Sequence, residues 1–137
     1  MNTNNQYMLL FSDKGWYNQL SAPEIQKIID QSKTWFEKLA ASGKARPGNA
    51  LARQGAVISG KNQRVVFDGP FPESKEAIGG FMVLEAGTLD EAVAIAKTNP
   101  ALLHGSTIEV RPLLSECPLN VRARELGIGT EMTAAAA

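Results

Sequence analysis

Two short runs of the sequence are apolar at every position, and they limit the possible folds more than any other feature. They are residues 7–11 (Tyr-Met-Leu-Leu-Phe) and residues 81–84 (Phe-Met-Val-Leu), which follow the pair Gly79-Gly80. Each run has the length of a strand, and successive side chains on a strand point to opposite faces. Both runs therefore predict central strands of a sheet that is apolar on its two faces.

A long helix is predicted between these two strands. Ser21 can cap it, Pro23 suits its first turn, and Glu24 completes a capping box. Gly43 ends it. Its apolar side chains share one stripe, which we interpret as core rather than as the wall of a ligand site. They are Ile25, Ile28, Ile29, Trp35, Phe36 and Leu39.

The remaining elements are shorter. Residues 44–54 are expected to be irregular, with a turn at Pro47-Gly48-Asn49 and at most a short strand near Ala50-Leu51. Residues 56–59 and 64–67 predict a β-hairpin around a four-residue turn. Thr88 and Glu91 form a second capping box, which begins a shorter helix. Residues 107–111 alternate between apolar and polar side chains and predict the last strand.

This order of elements is the pattern of a split βαββαβ unit, the ferredoxin-like fold of the α+β class, with an added β-hairpin. Two helices cover only one face of such a sheet, so apolar side chains on the other face would remain in water. We expect a second copy of the chain to cover that face, in a homodimer packed sheet to sheet. The alternative cover is the tail over residues 113–129, with Val121, Leu126 and Ile128.

Composition and charge argue against several classes of function. Fourteen Lys and Arg balance fourteen Asp and Glu, so no net charge attracts the chain to nucleic acid or an anionic membrane. No apolar run approaches the ~20 residues that span a bilayer. The single cysteine, Cys117, excludes an internal disulfide and suits a reducing compartment. We therefore expect a cytoplasmic protein with neither nucleic-acid nor membrane partners.

Most motifs that hold metals or cofactors are missing. One histidine and one cysteine, without CxxC or HxxxH spacing, predict no metal site. The sequence has no glycine-rich phosphate loop and no GxSxG elbow. We expect no cofactor.

Asp68 and His104 remain as candidates for acid–base catalysis. Asp68 begins the stiff loop 68–72 (Asp-Gly-Pro-Phe-Pro), where burial can raise the pKa of a carboxyl group towards use as a base. The alternative is turn chemistry, in which the Asp68 side chain accepts a hydrogen bond from a loop N–H. His104 follows the second helix, where a histidine also interacts with free helix carbonyls. The two can form a pair only if the fold brings their loops together.

Three further residues are candidates for binding a small molecule: Trp16, Arg53 and Phe71. Trp16 lies in a loop, where it either lines a pocket or covers the core. Arg53 belongs to a stretch, residues 44–64, with five cations and no acid. That stretch is either an anion-attracting wall beside Asp68 or a solvated sheet edge. Phe71 lies between the two prolines of the Asp68 loop.

The residues around Asp68 resemble the signature of the YCII-related proteins, specifically the DGPF branch. The resemblance rests on Asp68-Gly69-Pro70-Phe71, Glu73, Lys75-Glu76 and Gly79-Gly80-Phe81. Residues 7–10, 88–92 and 105–112 match the same pattern, so it spans about residues 6 to 113. It implies a domain over residues 1–113, folded as half of a dimeric α+β barrel, and a C-terminal extension over residues 114–137.

For function, the resemblance implies that a small aromatic or anionic molecule binds in a pocket near Asp68. Members of the broader superfamily are thought to use a His and an Asp there, and a few act on small aromatic compounds, including by dehydrochlorination. Asp68 corresponds to that acid by position. The family histidine lies on the first helix, where this sequence has none, and His104 is not its equivalent. The alternative is a non-catalytic dimeric module that binds a ligand or has a structural role.

Overall fold

The computed structural model describes residues 5–52, 54–67 and 78–128, which build an antiparallel sheet with helices on one face. The strands are β1 (Gln6–Ser12), β2 (Ala45–Ala50), β3 (Ala56–Ser59), β4 (Arg64–Phe67), β5 (Ile78–Glu85) and β6 (Ile108–Pro112). The helices are α1 (Ala22–Ala41), α2 (Leu89–Ala96) and α3 (Pro118–Glu125), and a 3₁₀ helix covers Pro100–His104. The strand order β2–β5–β1–β6, antiparallel at each step, confirms the predicted ferredoxin-like α+β fold.

Strands β1 and β5, which contain the two apolar runs, are the central pair of the sheet. Leu9 pairs with Met82 and Tyr7 pairs with Leu84, and all four side chains are buried. Trp35, Phe36 and Leu39 of α1 and Ile95 of α2 pack against this cluster, so the helices cover the face on which it lies. The alternate residues of the two strands are half-buried on the opposite face, which we call the open face: Met8, Leu10, Phe81 and Val83.

Helix α1 begins with the capping box that the sequence predicts. The Glu24 N–H donates to the Ser21 hydroxyl at 3.3 Å, and the Ser21 N–H donates to the Glu24 carboxylate at 2.9 Å. The second capping box is only half formed. Thr88 caps α2 by accepting from the Glu91 N–H, but the Glu91 carboxylate accepts from the Gly87 N–H rather than from that of Thr88.

Strand β2 corrects the prediction of an irregular segment with a turn at residues 47–49 and at most a short strand near residues 50–51. Residues 45–50 pair with β5, but the register shifts between Arg46 and Asn49, which marks a β-bulge. Pro47 and Gly48 occupy the bulge. Both residue types are rare inside strands, so the sequence did not predict strand β2. Gly48 is required there because a Cβ on it would lie 1.7 Å from the carbonyl oxygen of Phe81.

Strands β3 and β4 form the predicted hairpin, with the predicted bounds, as a separate two-stranded sheet. Its described apolar side chains are exposed: Val57, Ile58 and Val65.

Helix α3 follows β6 and was not predicted. The Arg124 guanidinium binds the Glu116 carboxylate through both of its terminal nitrogens, and the buried Asn120 amide donates to the same carboxylate at 3.0 Å. Leu126 and Ile128 are more than half exposed, so these two tail residues are not buried against the open face. No helix among the described residues combines the length and the apolar character that a membrane crossing requires.

Candidate functional site

An open cavity of about 510 Å³ lies between α1 and the helix-covered face of the sheet. It occupies the end of the sheet where β1 finishes and β5 begins, and we call it the aromatic cavity. Its wall is formed by Phe11, Trp16, Ser32, Trp35, Phe36, Pro47, Gly48, Asn49, Ala50, Gly80, Phe81, Met82, Asn99, Ala101 and Ser106. Residues from β1, α1, β2, β5 and the 3₁₀ helix therefore meet at one site.

One residue of the cavity wall is a glycine, which presents no side chain on the helix-covered face of the sheet. Gly80 is paired with Phe11 and lies on the helix-covered face, two residues before Met82. A strand residue larger than glycine would project into the space below α1. The Gly80 backbone also approaches β2 closely, since a Cβ there would lie 3.2 Å from the Asn49 carbonyl oxygen.

Aromatic rings from three different segments line the cavity: Phe11 on β1, Trp16 on the following loop, and Trp35 and Phe36 on α1. The Trp35 indole is fixed in orientation because its N–H donates to the Thr98 hydroxyl at 2.7 Å. Trp16 packs edge-to-face against Tyr17, with ring centroids 5.4 Å apart. Rings held in this way offer flat apolar surfaces to a ligand.

The polar groups of the wall are few and uncharged. They belong to Ser32, Asn49, Asn99 and Ser106. The Asn99 side-chain oxygen accepts from the Ala101 N–H at 2.8 Å, which commits it to capping the 3₁₀ helix. No charged side chain is among the described residues of the wall. Within residues 5–52, 54–67 and 78–128, no three His, Cys, Asp or Glu side chains cluster as metal ligands.

Comparison with known proteins assigns the chain to a family, because the YCII-related domain matches residues 6–115. The chain belongs to the YCII-related family. It is 28% identical over 113 residues to an uncharacterized protein of Rhizobium meliloti (strain 1021), covering 77% of this chain and 89% of that protein. Among solved structures it is similar to 5-chloro-2-hydroxyhydroquinone dehydrochlorinase of Burkholderia phenoliruptrix AC1100 in complex with 2,5-dihydroxybenzoquinone. That similarity has 18% identity and a TM-score of 0.46, and covers 84% of this chain and 98% of the other.

Of the five candidate site residues of this YCII-related chain, the described structure includes two, Trp16 and His104. Trp16 lies in the wall of the aromatic cavity. His104 lies in the last turn of the 3₁₀ helix and is not among the described wall residues. Asp68, Arg53 and Phe71 lie outside the described residues. Their catalytic and ligand-binding roles, like membership of the DGPF branch, therefore remain predictions.

His104 has one electrostatic relationship with α1. The pKa of Glu24 is lowered chiefly by the hydrogen bond from the Ser21 N–H, next by the Ser21 hydroxyl, and to a smaller extent by the charge of His104. His104 is therefore within electrostatic reach of the start of α1.

Sequence reasoning missed Trp35 and Phe36 as residues of the site. They were assigned to the core, and they do pack against the core cluster, but they also line the cavity. The available signal was the pair Gly79-Gly80 at the start of an otherwise apolar strand. A small residue at a core-facing strand position leaves space opposite a helix, and the aromatic stripe of α1 borders that space.

Proposed function

We propose that this YCII-related protein binds a small, neutral aromatic molecule in the aromatic cavity. The observation that carries the proposal is the set of rings from β1, the Trp16 loop and α1 that converge there. Its volume of about 510 Å³ lies within the range of ~300–1,000 Å³ that is typical of small-molecule sites. Apolar walls with a few polar groups are the usual composition of such sites.

The polar groups of the wall suit a neutral aromatic ring with a hydroxyl group better than they suit an anionic ligand. The Ser32 and Ser106 hydroxyls can donate or accept, and the Asn49 amide can do both. An anionic ligand would lose its hydration without gaining a cationic partner among the described wall residues, which is unfavourable. Phenol is therefore the simplest probe.

The chain offers a built-in reporter for this test. Its two tryptophans, Trp16 and Trp35, both line the aromatic cavity, so intrinsic tryptophan fluorescence reports on this site. Titration with phenol, with excitation at the red edge of the tryptophan band, should give a saturable change in emission. Cyclohexanol has a similar size without an aromatic face and should bind more weakly.

Single variants distinguish the two reporters. Trp16→Phe leaves Trp35 as the only tryptophan, and Trp35→Phe leaves Trp16. Each variant should still show a saturable phenol response, because each remaining indole borders the same cavity. The proposal would be overturned by a folded protein, judged by circular dichroism, whose emission changes only linearly with phenol or responds equally to cyclohexanol.

Acid–base catalysis by Asp68 is a further proposal, which rests on the sequence motif and on membership of the YCII-related family. The competing role is turn chemistry within the Asp-Gly-Pro-Phe loop. Asp68→Asn separates the two: a ligand-contacting acid predicts lower phenol affinity with an unchanged free energy of unfolding. Lower stability with unchanged affinity would support the loop role and a non-catalytic module. His104→Gln, measured in the same way, tests the second proposed catalytic residue.

A homodimer packed sheet to sheet is proposed for the open face. Met8, Leu10, Phe81 and Val83 form a continuous apolar patch there, while α1 and α2 pack on the other face. Covering such a patch with its own copy removes apolar surface from water symmetrically.

The sedimentation coefficient at micromolar concentration tests this proposal. The wild-type chain should sediment as a dimer and Val83→Arg as a folded monomer, because a buried unpaired charge opposes association. Val57→Arg, on the exposed hairpin, is the matched control and should remain dimeric. A monomeric wild-type chain would contradict the proposal.

A further inference from the structure

A second cavity, of about 380 Å³, adjoins the aromatic cavity along α1. Its wall consists of Trp16, Tyr17, Ile25, Ile28, Ile29, Ser32 and Ala101. Trp16, Ser32 and Ala101 belong to both walls, so the two cavities are neighbours on either side of these three residues. We call the second space the aliphatic cavity, because isoleucines form most of its wall on α1.

One face of α1 runs through both cavities. Ile25, Ile28, Ile29 and Ser32 border the aliphatic cavity, and Ser32, Trp35 and Phe36 border the aromatic one. The spacings of three and four residues place these side chains on one stripe. Ile28 and Trp35 are seven residues apart on the helix, so their Cα atoms are separated by ~10 Å along its axis. The chemistry of the stripe changes at Ser32, from aliphatic to aromatic.

Ser32 and Trp16 form the boundary between the two spaces. Ser32 has a small side chain, so it would obstruct a ligand that extends from one cavity to the other less than a larger residue would. Trp16 faces it from the loop after β1, where its Cβ lies close to Gly105: a Cβ on that glycine would be 3.8 Å away. Ile29 is 54% exposed and Tyr17 is 41% exposed, so the aliphatic cavity presents apolar surface to water.

We propose that the ligand is an aromatic ring with an alkyl substituent. The ring occupies the aromatic cavity, and the alkyl chain passes Ser32 and Trp16 into the aliphatic cavity, where it contacts Ile25, Ile28 and Ile29. This inference rests on the proposed function. The alkyl chain is favoured over a separate protein partner because the aliphatic cavity lies directly beside the aromatic one, with three wall residues in common.

The affinities of phenol and a series of 4-alkylphenols, from methyl to hexyl, test the inference. Affinity should rise about fourfold with each methylene, because burying one CH₂ contributes ~0.8 kcal/mol and 1.4 kcal/mol corresponds to a factor of ten. Titration calorimetry measures the series independently of the tryptophans. If phenol binds but the dissociation constant is the same along the series, the inference is overturned and the proposed function stands. If neither phenol nor any alkylphenol binds, both are overturned.

Variants show whether the gain arises in the aliphatic cavity. Ile29→Asn should leave phenol affinity unchanged and reduce the gain per methylene, because it makes that wall polar. Ile29 is more than half exposed, so the substitution should leave the fold intact. Leu119→Asn, at an exposed leucine of α3, is the matched control and should keep the wild-type gain. An equal gain per methylene in Ile29→Asn and wild type would overturn the inference.

Discussion

The indole N–H of Trp35 donates a hydrogen bond of 2.7 Å to the hydroxyl oxygen of Thr98. The Thr98 hydroxyl in turn donates to the carbonyl oxygen of Ile95, at 2.6 Å. These two bonds join the middle of α1 to the residues that follow α2, across a separation of 63 residues in sequence. They also fix the plane of the ring that forms one wall of the aromatic cavity.

Substitution of Thr98 therefore tests whether ring orientation matters for ligand binding. Thr98→Val removes the hydroxyl that makes both bonds and should lower the free energy of unfolding by ~0.5–1.5 kcal/mol for each of them, the usual net contribution of a hydrogen bond. It should also weaken phenol binding, because the Trp35 ring is no longer held in place. Thr98→Ser keeps the hydroxyl and is the control. Denaturant unfolding and phenol titration measure the two effects, and equal behaviour of the Val and Ser variants would contradict the prediction.

The bulge of β2 predicts that adding one methyl group, at Gly48, severely lowers the stability of the fold. Gly48→Ala would place a Cβ 1.7 Å from the Phe81 carbonyl oxygen. The strand must move away from β5, so we expect a loss of ~3 kcal/mol or more of stability, the upper end of overpacking effects. Gly55→Ala is the matched control, since a Cβ there meets nothing within 4 Å. Urea denaturation compares the two, and similar midpoints would show that the bulge is not required.

The centre of the core predicts the largest cavity effect. Leu84 is fully buried opposite Tyr7, and Leu84→Ala should cost ~2–5 kcal/mol through lost burial and the cavity that remains. Leu119→Ala, at a leucine that is 70% exposed, should change stability by less than ~0.5 kcal/mol. Thermal unfolding of both variants checks the assignment of β5 to the sheet centre, which nearly equal melting temperatures would refute.

The fold could be predicted from the sequence because its central strands are apolar on both faces and its first helix begins with a complete capping box. Strand β2 could not be predicted, because Pro47 and Gly48 are residue types that argue against a strand and only the bulge accommodates them. The aromatic cavity could be predicted only in part. The helical spacing of the apolar residues places Trp35 on the inner face of α1. It does not tell whether Trp35 packs against strand side chains or borders the space beside Gly80.

The capping box of α1 predicts a specific dependence of stability on pH. The Ser21 N–H donates to the Glu24 carboxylate, which favours the charged form and lowers the pKa of Glu24 in the folded state. The unfolded chain then binds more protons than the folded one at acidic pH, so stability falls as pH decreases. The contribution is fully present above the unfolded value of about 4.3 and is lost as pH falls through the folded pKa.

Glu24→Gln removes this titration and should flatten the acid limb of the stability profile. Glu37→Gln, at an exposed position of the same helix, controls for the loss of one carboxylate. Urea denaturation at several pH values below neutrality gives the slope for each chain. We expect the slope of Glu24→Gln to be smaller than those of the wild type and Glu37→Gln, because only Glu24 accepts the Ser21 N–H at 2.9 Å. Equal slopes in all three chains would show that the capping carboxylate does not contribute to acid sensitivity.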